Sequence, residues 1–164
     1  MDTGEDSSPS VRGWGTKVRT GSGQQKEATV IKKLHHVALA VKDIQAAVDD
    51  YTKLFDLPKP QIQEVKSQNV KGALLVIGDA EIELIEPTDP QGGVAKFLER
   101  KGESLHHICF QVENIDQALQ KLEAGGAQLI DKKSRPGLAG MVGFVHPKST
   151  GGVLVELCTP VARH

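Results

Sequence analysis

No apolar run in this sequence approaches the roughly 20 residues needed to cross a bilayer as a helix, which excludes a helical membrane protein. Charge of either sign is not in excess: 20 basic and 21 acidic residues give a formal net charge of −1. Nothing global therefore pulls the chain toward nucleic acid or an anionic membrane. Cysteine is scarce as well. Cys109 and Cys158 are too few for a disulfide framework, and each sits in an apolar, strand-like run, as buried thiols of a reducing compartment do. Aliphatic residues are almost missing from the first 30 positions, which are rich in Gly, Ser and Thr. Such a stretch cannot bury enough surface to offset the entropy of ordering, so residues 1–30 read as a flexible arm. The arm lacks the apolar centre of a secretory signal. Arg12, Lys17 and Arg19 suit a transit peptide, whereas Asp2, Glu5 and Asp6 oppose one. The expectation is a soluble protein of the cytoplasm, or of the mitochondrial matrix in a eukaryote. Residues 31–164 are numerous enough to form one domain with a real core.

What the sequence does contain is itself, twice. LHHVALAV at 34–41 returns as LHHICFQV at 105–112, an offset of 71 residues. ELIEP at 83–87 returns as ELCTP at 156–160, an offset of 73. A two-segment match with one small slip marks an internal repeat, placed at about 32–90 and 103–160. Each half reads alike. A strand at about 33–41 alternates in the strand period, Asp43 suits an N-cap, and 44–54 shows helical spacing. GALLVIG and AEIELIEP then form two strand-like runs around Gly78-Asp79, a hairpin signal. In the second half, a strand at 105–112 leads to a helix at 115–124 stopped by Gly125-Gly126. Strands are expected near 127–130, 141–146 and 152–158. Two tandem βαβββ units predict an α+β fold with a cupped mixed sheet.

Strand parity separates the candidate functional residues. Val37, Leu39 and Val41 share one face and should pack on the following helix, which turns His36, Ala38 and Ala40 the other way. In the second repeat Ile108, Phe110 and Val112 oppose His107 and Cys109. Strict alternation places His35 and His106 on the helix side, where they are poorer ligands. In the closing strands Glu83 and Glu156 lie opposite the aliphatic face. A mid-strand Glu in an apolar run is costly to bury unless paired or metal-bound, and both repeats carry one at the equivalent place. His36, Glu83, His107 and Glu156 thus form a candidate set for one divalent cation with positions left open. Imidazole plus carboxylate favours Co, Zn, Mn, Ni or Fe(II) over Ca.

The series HHVALAV, ELIEP, LHHICFQV and HPKSTGGVLVEL resembles the vicinal oxygen chelate (glyoxalase/bleomycin-resistance/dioxygenase) superfamily, and within it the methylmalonyl-CoA epimerase family, over about residues 32–160. The resemblance implies ligands at His36, His107 and Glu156, with a fourth at Glu83, where some members have Gln. It implies a divalent metal, cobalt first, with zinc, manganese or nickel as alternatives. It also implies an acyl-CoA substrate whose C2 epimers interconvert through a metal-stabilised enolate, and a homodimer. Exchange of a proton between two faces needs an acid/base group on each side; Glu156 is the candidate for one. Some relatives carry a Glu at the place of Gly72, which cannot hold a proton. Glu64, Glu86, Lys71 or a water could take over. Lys148 in the HPKSTGG turn could meet a CoA phosphate, although turns collect such residues anyway. The rival readings are a glyoxalase I-type lactoylglutathione lyase and a non-catalytic small-molecule-binding module.

Overall fold

The computed structural model describes residues 30–161; apart from Val30 the expected arm lies outside them. The first repeat forms β1 (Ile31–Ala40), α1 (Ile44–Phe55), β2 (Gln63–Val65), β3 (Val70–Ile77) and β4 (Ala80–Pro87). A helix between the repeats, α2 (Gly93–Lys101), follows. The second repeat forms β5 (Ser104–Val112), α3 (Ile115–Ala124), β6 (Arg135–Gly137), β7 (Gly140–Val145) and β8 (Leu154–Thr159). Local chemistry explains the boundaries. The Asp43 side chain accepts from the Ala46 amide and Asn114 from the Gln117 amide, so both repeat helices start on a side-chain cap. The β3–β4 turn uses Gly78 at φ 57°, a backbone region that glycine enters without strain.

All strands join one 8-stranded mixed sheet in the order β2-β3-β4-β1-β5-β8-β7-β6. The order reads the same from either end once the repeats are exchanged. β1 and β5, one from each repeat, lie antiparallel at the centre, and each has its own closing strand parallel beside it. The outer strands nearly close the sheet: Ser67 Oγ, next to β2, donates to the Pro136 carbonyl at 2.7 Å. The convex side carries the repeat helices. α1 packs Ile44 and Val48 on Val41, Ala73, Leu75 and Leu84; α3 packs Ile115, Ala118 and Leu119 on Val112 and Leu157. Parity correctly placed these aliphatic residues. Leu75 and Leu84 are fully buried, and truncating a Leu in such a place to Ala costs about 2–5 kcal/mol.

Three features depart from the sequence reading. Residues 127–130 form no strand; only Leu129 bridges to Val145, while Leu129 packs toward α3. The missing strand of the second repeat is β6, at Arg135–Gly137. Helix α2 was not anticipated. Its Val94, Phe97 and Leu98 are spaced as one helical stripe and cover Ala38, Ala40, Val70 and Ile85 on the concave side. The third departure concerns the β1–β5 register. Leu34 pairs with Phe110 and His36 with Cys109, while Ala38 pairs with His107 and Leu39 with Leu105. His35 and His106 are thus the extra residues of two bulges, one in each repeat. A bulge re-aims side chains and breaks strict alternation, so neither histidine is on the helix side as parity predicted.

Candidate metal centre

His36 and His107 come from the two central strands, Glu83 from β4 and Glu156 from β8. All four are buried, His36 completely. Their donor atoms converge. His36 Nε2 lies 3.3 Å from Glu83 Oε2, 3.7 Å from Glu156 Oε1 and 3.3 Å from His107 Nε2. His107 Nε2 lies 3.4 Å from Glu83 Oε2 and 3.3 Å from Glu156 Oε2. Ligand bonds of about 2.0–2.2 Å to one central ion place neighbouring donors roughly 3–3.5 Å apart. The four residues therefore fit a divalent cation of the zinc or cobalt size, and two buried carboxylates require positive charge beside them.

The bulge histidines complete the arrangement. His35 Nδ1 is 3.0 Å from His36 Nδ1, and His106 Nδ1 is 2.8 Å from His107 Nδ1. For His36 and His107 to offer an Nε2 lone pair, each must carry its proton on Nδ1 and donate it to the neighbour. With a cation on those Nε2 atoms, His35 and His106 would select the tautomer and orient the ring, as outer partners of ligand histidines do. Sequence reasoning passed over both, although the signal was present: the repeat preserves the doublet His-His, not a single His. His106 also packs its ring edgewise on Phe97 of α2 at 4.8 Å. His106→Phe keeps this packing and removes the acceptor. Metal affinity is expected to fall about 10–100-fold with little change in the melting temperature of the metal-free protein. Isothermal titration that finds wild-type affinity would remove His106 from this role.

Charges in the metal-free centre are strongly perturbed. Burial raises the Glu83 pKa, but hydrogen bonds from His107 and His36 outweigh it and hold the carboxyl far below the usual range. Burial opposes charge on His107, yet Glu156 and then Glu83 outweigh it and push the pKa up to about 9. Burial, and then the His107 charge, push His106 down to about 4. His107 binds its proton more tightly folded than unfolded. Its contribution to stability is full below pH 6.5 and fades as pH climbs through about 9. His106 acts oppositely: its contribution is full above pH 6.5 and fades as pH falls through about 4. Glu83 adds to the acid loss below pH 4.5. Cys158, held down to about 6 chiefly by its hydrogen bond with Cys109, gains stability over the same alkaline range and opposes the His107 loss. Metal loading replaces the His107 proton by a cation and should therefore make the protein more resistant to alkaline pH. Melting curves against pH, with and without chelator, check this; an alkaline limb unchanged by chelator would contradict it.

The centre borders a cavity of about 620 Å³ between the sheet and α2. Glu83 and His107 open onto it; His36 and Glu156 are not among its lining residues. Arg100, Lys101 and Arg135 give the cavity a basic rim. Arg135 pairs with Asp131 at 3.2 Å and lies over the Phe144 ring, whose edge meets His107 at 5.4 Å. Arg135 was not recognised in the sequence, because its place depends on β6. The side chains considered as a second base fare differently from the ligands. Lys71 pairs with Glu86 at 3.3 Å, and Glu86 also accepts from the Ile44 amide at the start of α1. Glu64 pairs across from Lys71. Strand register thus puts all three on the side opposite Gly72, away from the centre. A Cβ on Gly72 would come within 2.6 Å of a Leu138 methyl, so Leu138 occupies the space that a longer side chain would need. Lys148 is exposed and lies outside the cavity lining, to which its turn contributes Pro147 and Gly152.

A near-closed mixed sheet of paired βαβββ units, with two His and two Glu facing inward, is the fold of a known class of proteins. The family model of the glyoxalase/bleomycin resistance protein/dioxygenase superfamily matches residues 35–144, and the chain belongs to this superfamily. It is 38% identical over 131 residues to an uncharacterized protein of Bacillus subtilis (strain 168), covering 79% of this chain and 94% of that one. It is 34% identical over 146 residues to the mitochondrial methylmalonyl-CoA epimerase of Dictyostelium discoideum, covering 84% and 87%. The crystal structure of methylmalonyl-CoA epimerase from Mycobacterium tuberculosis matches with a TM-score of 0.78 at 30% identity, over 82% of this chain and 92% of that one. These similarities support an enzyme of the epimerase type.

Proposed function

We propose that the protein is a divalent-metal-dependent epimerase that interconverts the C2 epimers of methylmalonyl-CoA, with His36, Glu83, His107 and Glu156 as metal ligands. The observation that carries this reading is that the Nε2 atoms of His36 and His107 lie 3.3 Å apart, each 3.3–3.7 Å from a carboxylate oxygen of Glu83 and of Glu156, beside a cavity with a basic rim. A bound divalent ion supplies Lewis-acid stabilisation of negative charge developing on the substrate's carbonyl-type oxygens. The chain does the rest. Arg135, ordered by Asp131 and Phe144, offers a planar cation to a carboxylate or phosphate. The α2 stripe keeps water from the apolar end of the cavity. Glu156 takes the proton from C2, and its Oε1 accepts from Cys109 Sγ at 3.3 Å, which fixes the carboxylate's orientation. With Lys71, Glu64 and Glu86 turned away and Gly72 bare, return of a proton on the opposite face falls to a water. Cobalt is the first choice of metal, with zinc, manganese or nickel as alternatives. A homodimer belongs to the same reading, supported by apolar side chains left exposed at Ile31, Leu34 and Leu105 on the two central strands.

The test is release of isotope from C2-tritiated methylmalonyl-CoA by cobalt-loaded protein, set against S-lactoylglutathione formation from the glutathione hemithioacetal. Isotope release alone supports the epimerase. Lactoylglutathione formation without release would replace it with the lyase, and neither activity in a metal-loaded protein would leave a binding module.

A further inference from the structure

The concave side of the sheet holds a second cavity, of about 480 Å³, that shares no lining residue with the one beside the metal centre. Strand register locates the boundary between them. Val70, Gly72 and Leu74 alternate onto one face of β3. Val70 lines the larger cavity and Leu74 the smaller, so Gly72 stands between the two. The opposite wall runs likewise: Arg135 lines the larger cavity, while Gly137 and Leu138 line the smaller. Leu138, half-buried in the turn from β6 to β7, reaches across to β3. There a Cβ on Gly72 would meet its Cδ2 methyl at 2.6 Å. Leu138 thus fills the notch that Gly72 leaves and closes the wall between the two cavities. Gly72 pairs with Ile85, and Leu74 with Glu83; both of these β4 residues line the larger cavity. The wall therefore bounds the space in which a substrate of the metal centre must sit.

We infer that Leu138 sets the upper size of the C2 branch that the site accepts, and so restricts the substrate to malonyl thioesters with a short branch. This rests on the epimerase reading. The four candidate ligands stand on the central strands β4, β1, β5 and β8, whereas Leu138 joins the outer strands β3 and β6. The Leu138 wall consequently lies across the concave side from the ligands. A malonyl thioester that turns its two carbonyl-type oxygens to the ligands carries its C2 branch on the far side of C2, because the oxygens and the branch diverge from that carbon. The branch then points at the wall. A methyl group ends short of it, and a longer chain overpacks against Leu138. Behind Leu138 lies ready space lined by Pro60, Leu74 and Pro160. Shortening Leu138 should therefore join the two cavities rather than leave a sealed void.

Methylmalonyl-CoA and n-butylmalonyl-CoA, each tritiated at C2, test this with the full-length, cobalt-loaded protein, by isotope release and by calorimetric affinity. Hydrophobic pockets discriminate about 10–200-fold per methylene. Wild-type protein should therefore handle the butyl thioester at least about 10²-fold less well than the methyl one. In Leu138→Ala the butyl-to-methyl ratio of kcat/KM should rise at least about 10-fold, mainly through KM, and the ratio of affinities should rise with it. Leu138→Val, a milder truncation, should move both ratios the same way by less, and melting curves confirm that each variant is folded. Ratios unchanged in the folded variants would overturn the inference, as would a wild-type protein that takes both thioesters equally. Isotope release from neither thioester would instead remove the epimerase reading, and the affinity ratio, which needs no turnover, would then decide the role of Leu138. Binding of neither would overturn both.

Discussion

Replacing Glu156 by Gln is expected to lower turnover about 10²–10⁴-fold, the range lost with a general acid/base, while substrate KM changes little. Gln keeps the side-chain length and one oxygen for the metal, but it cannot accept and return a proton. The matching change at the other carboxylate should behave differently. Glu83→Gln is expected to lower turnover much less than Glu156→Gln, since the amide oxygen can still serve as a ligand and no proton is assigned to this side chain. The contrast matters because the two carboxylates occupy equivalent places in the repeats, yet only Glu83 lines the larger cavity. Glu156 is held from behind by the Cys109 thiol. Single-turnover proton exchange from C2 reads the chemical step without product release. If Glu83→Gln proves the more damaging, the roles are reversed and Glu83 carries the proton.

Stripping the metal is the second large effect. Chelation should abolish isotope exchange, and cobalt(II) should restore it. It should also lower thermal stability, because the ion binds the folded centre and not the unfolded chain. Metal at about 1,000 times its dissociation constant adds roughly 4 kcal/mol, and for a chain of this length each kcal/mol moves the midpoint about 2–4 °C, so a fall of about 8–16 °C is expected. His36→Ala should abolish the metal-dependent part of this shift at low metal excess, since His36 is fully buried and no solvent-held group can replace it. A melting midpoint indifferent to chelator would mean that these four residues are a structural polar cluster rather than a metal centre. The change that chelator makes to the pH dependence is an independent check, because it reads the charge that replaces the His107 proton.

Much of the fold was legible because the sequence states its plan twice. Asp43 and Asn114 cap equivalent helices. The hairpin glycine stands at φ 57°, and the aliphatic faces of β1, β4, β5 and β8 pack where alternation put them. What was misread was non-local. The stretch at 127–130 has strand-like composition, yet it found one bridge partner, while Arg135–Gly137 paired with β7. Helix α2 is only nine residues long, with a short apolar stripe that means little until a concave sheet exists to receive it.

The candidate site divides in the same way. Sequence by itself determined that two histidines and two glutamates stand at equivalent positions of two repeats, on strands whose aliphatic face is committed to a helix. Duplication copies local patterns, and alternation is a property of a single strand, so neither needs tertiary information. Only the tertiary structure decided that the two repeats set β1 against β5, which brings His36 and His107 to 3.3 Å across 71 residues. It also decided the fate of His35 and His106. A bulge is a mismatch between two strands, invisible in either alone, and it turned two residues that alternation had assigned to the core into partners of His36 and His107. Arg135 has the same origin: its neighbours were chosen by register and closure, not by spacing along the chain.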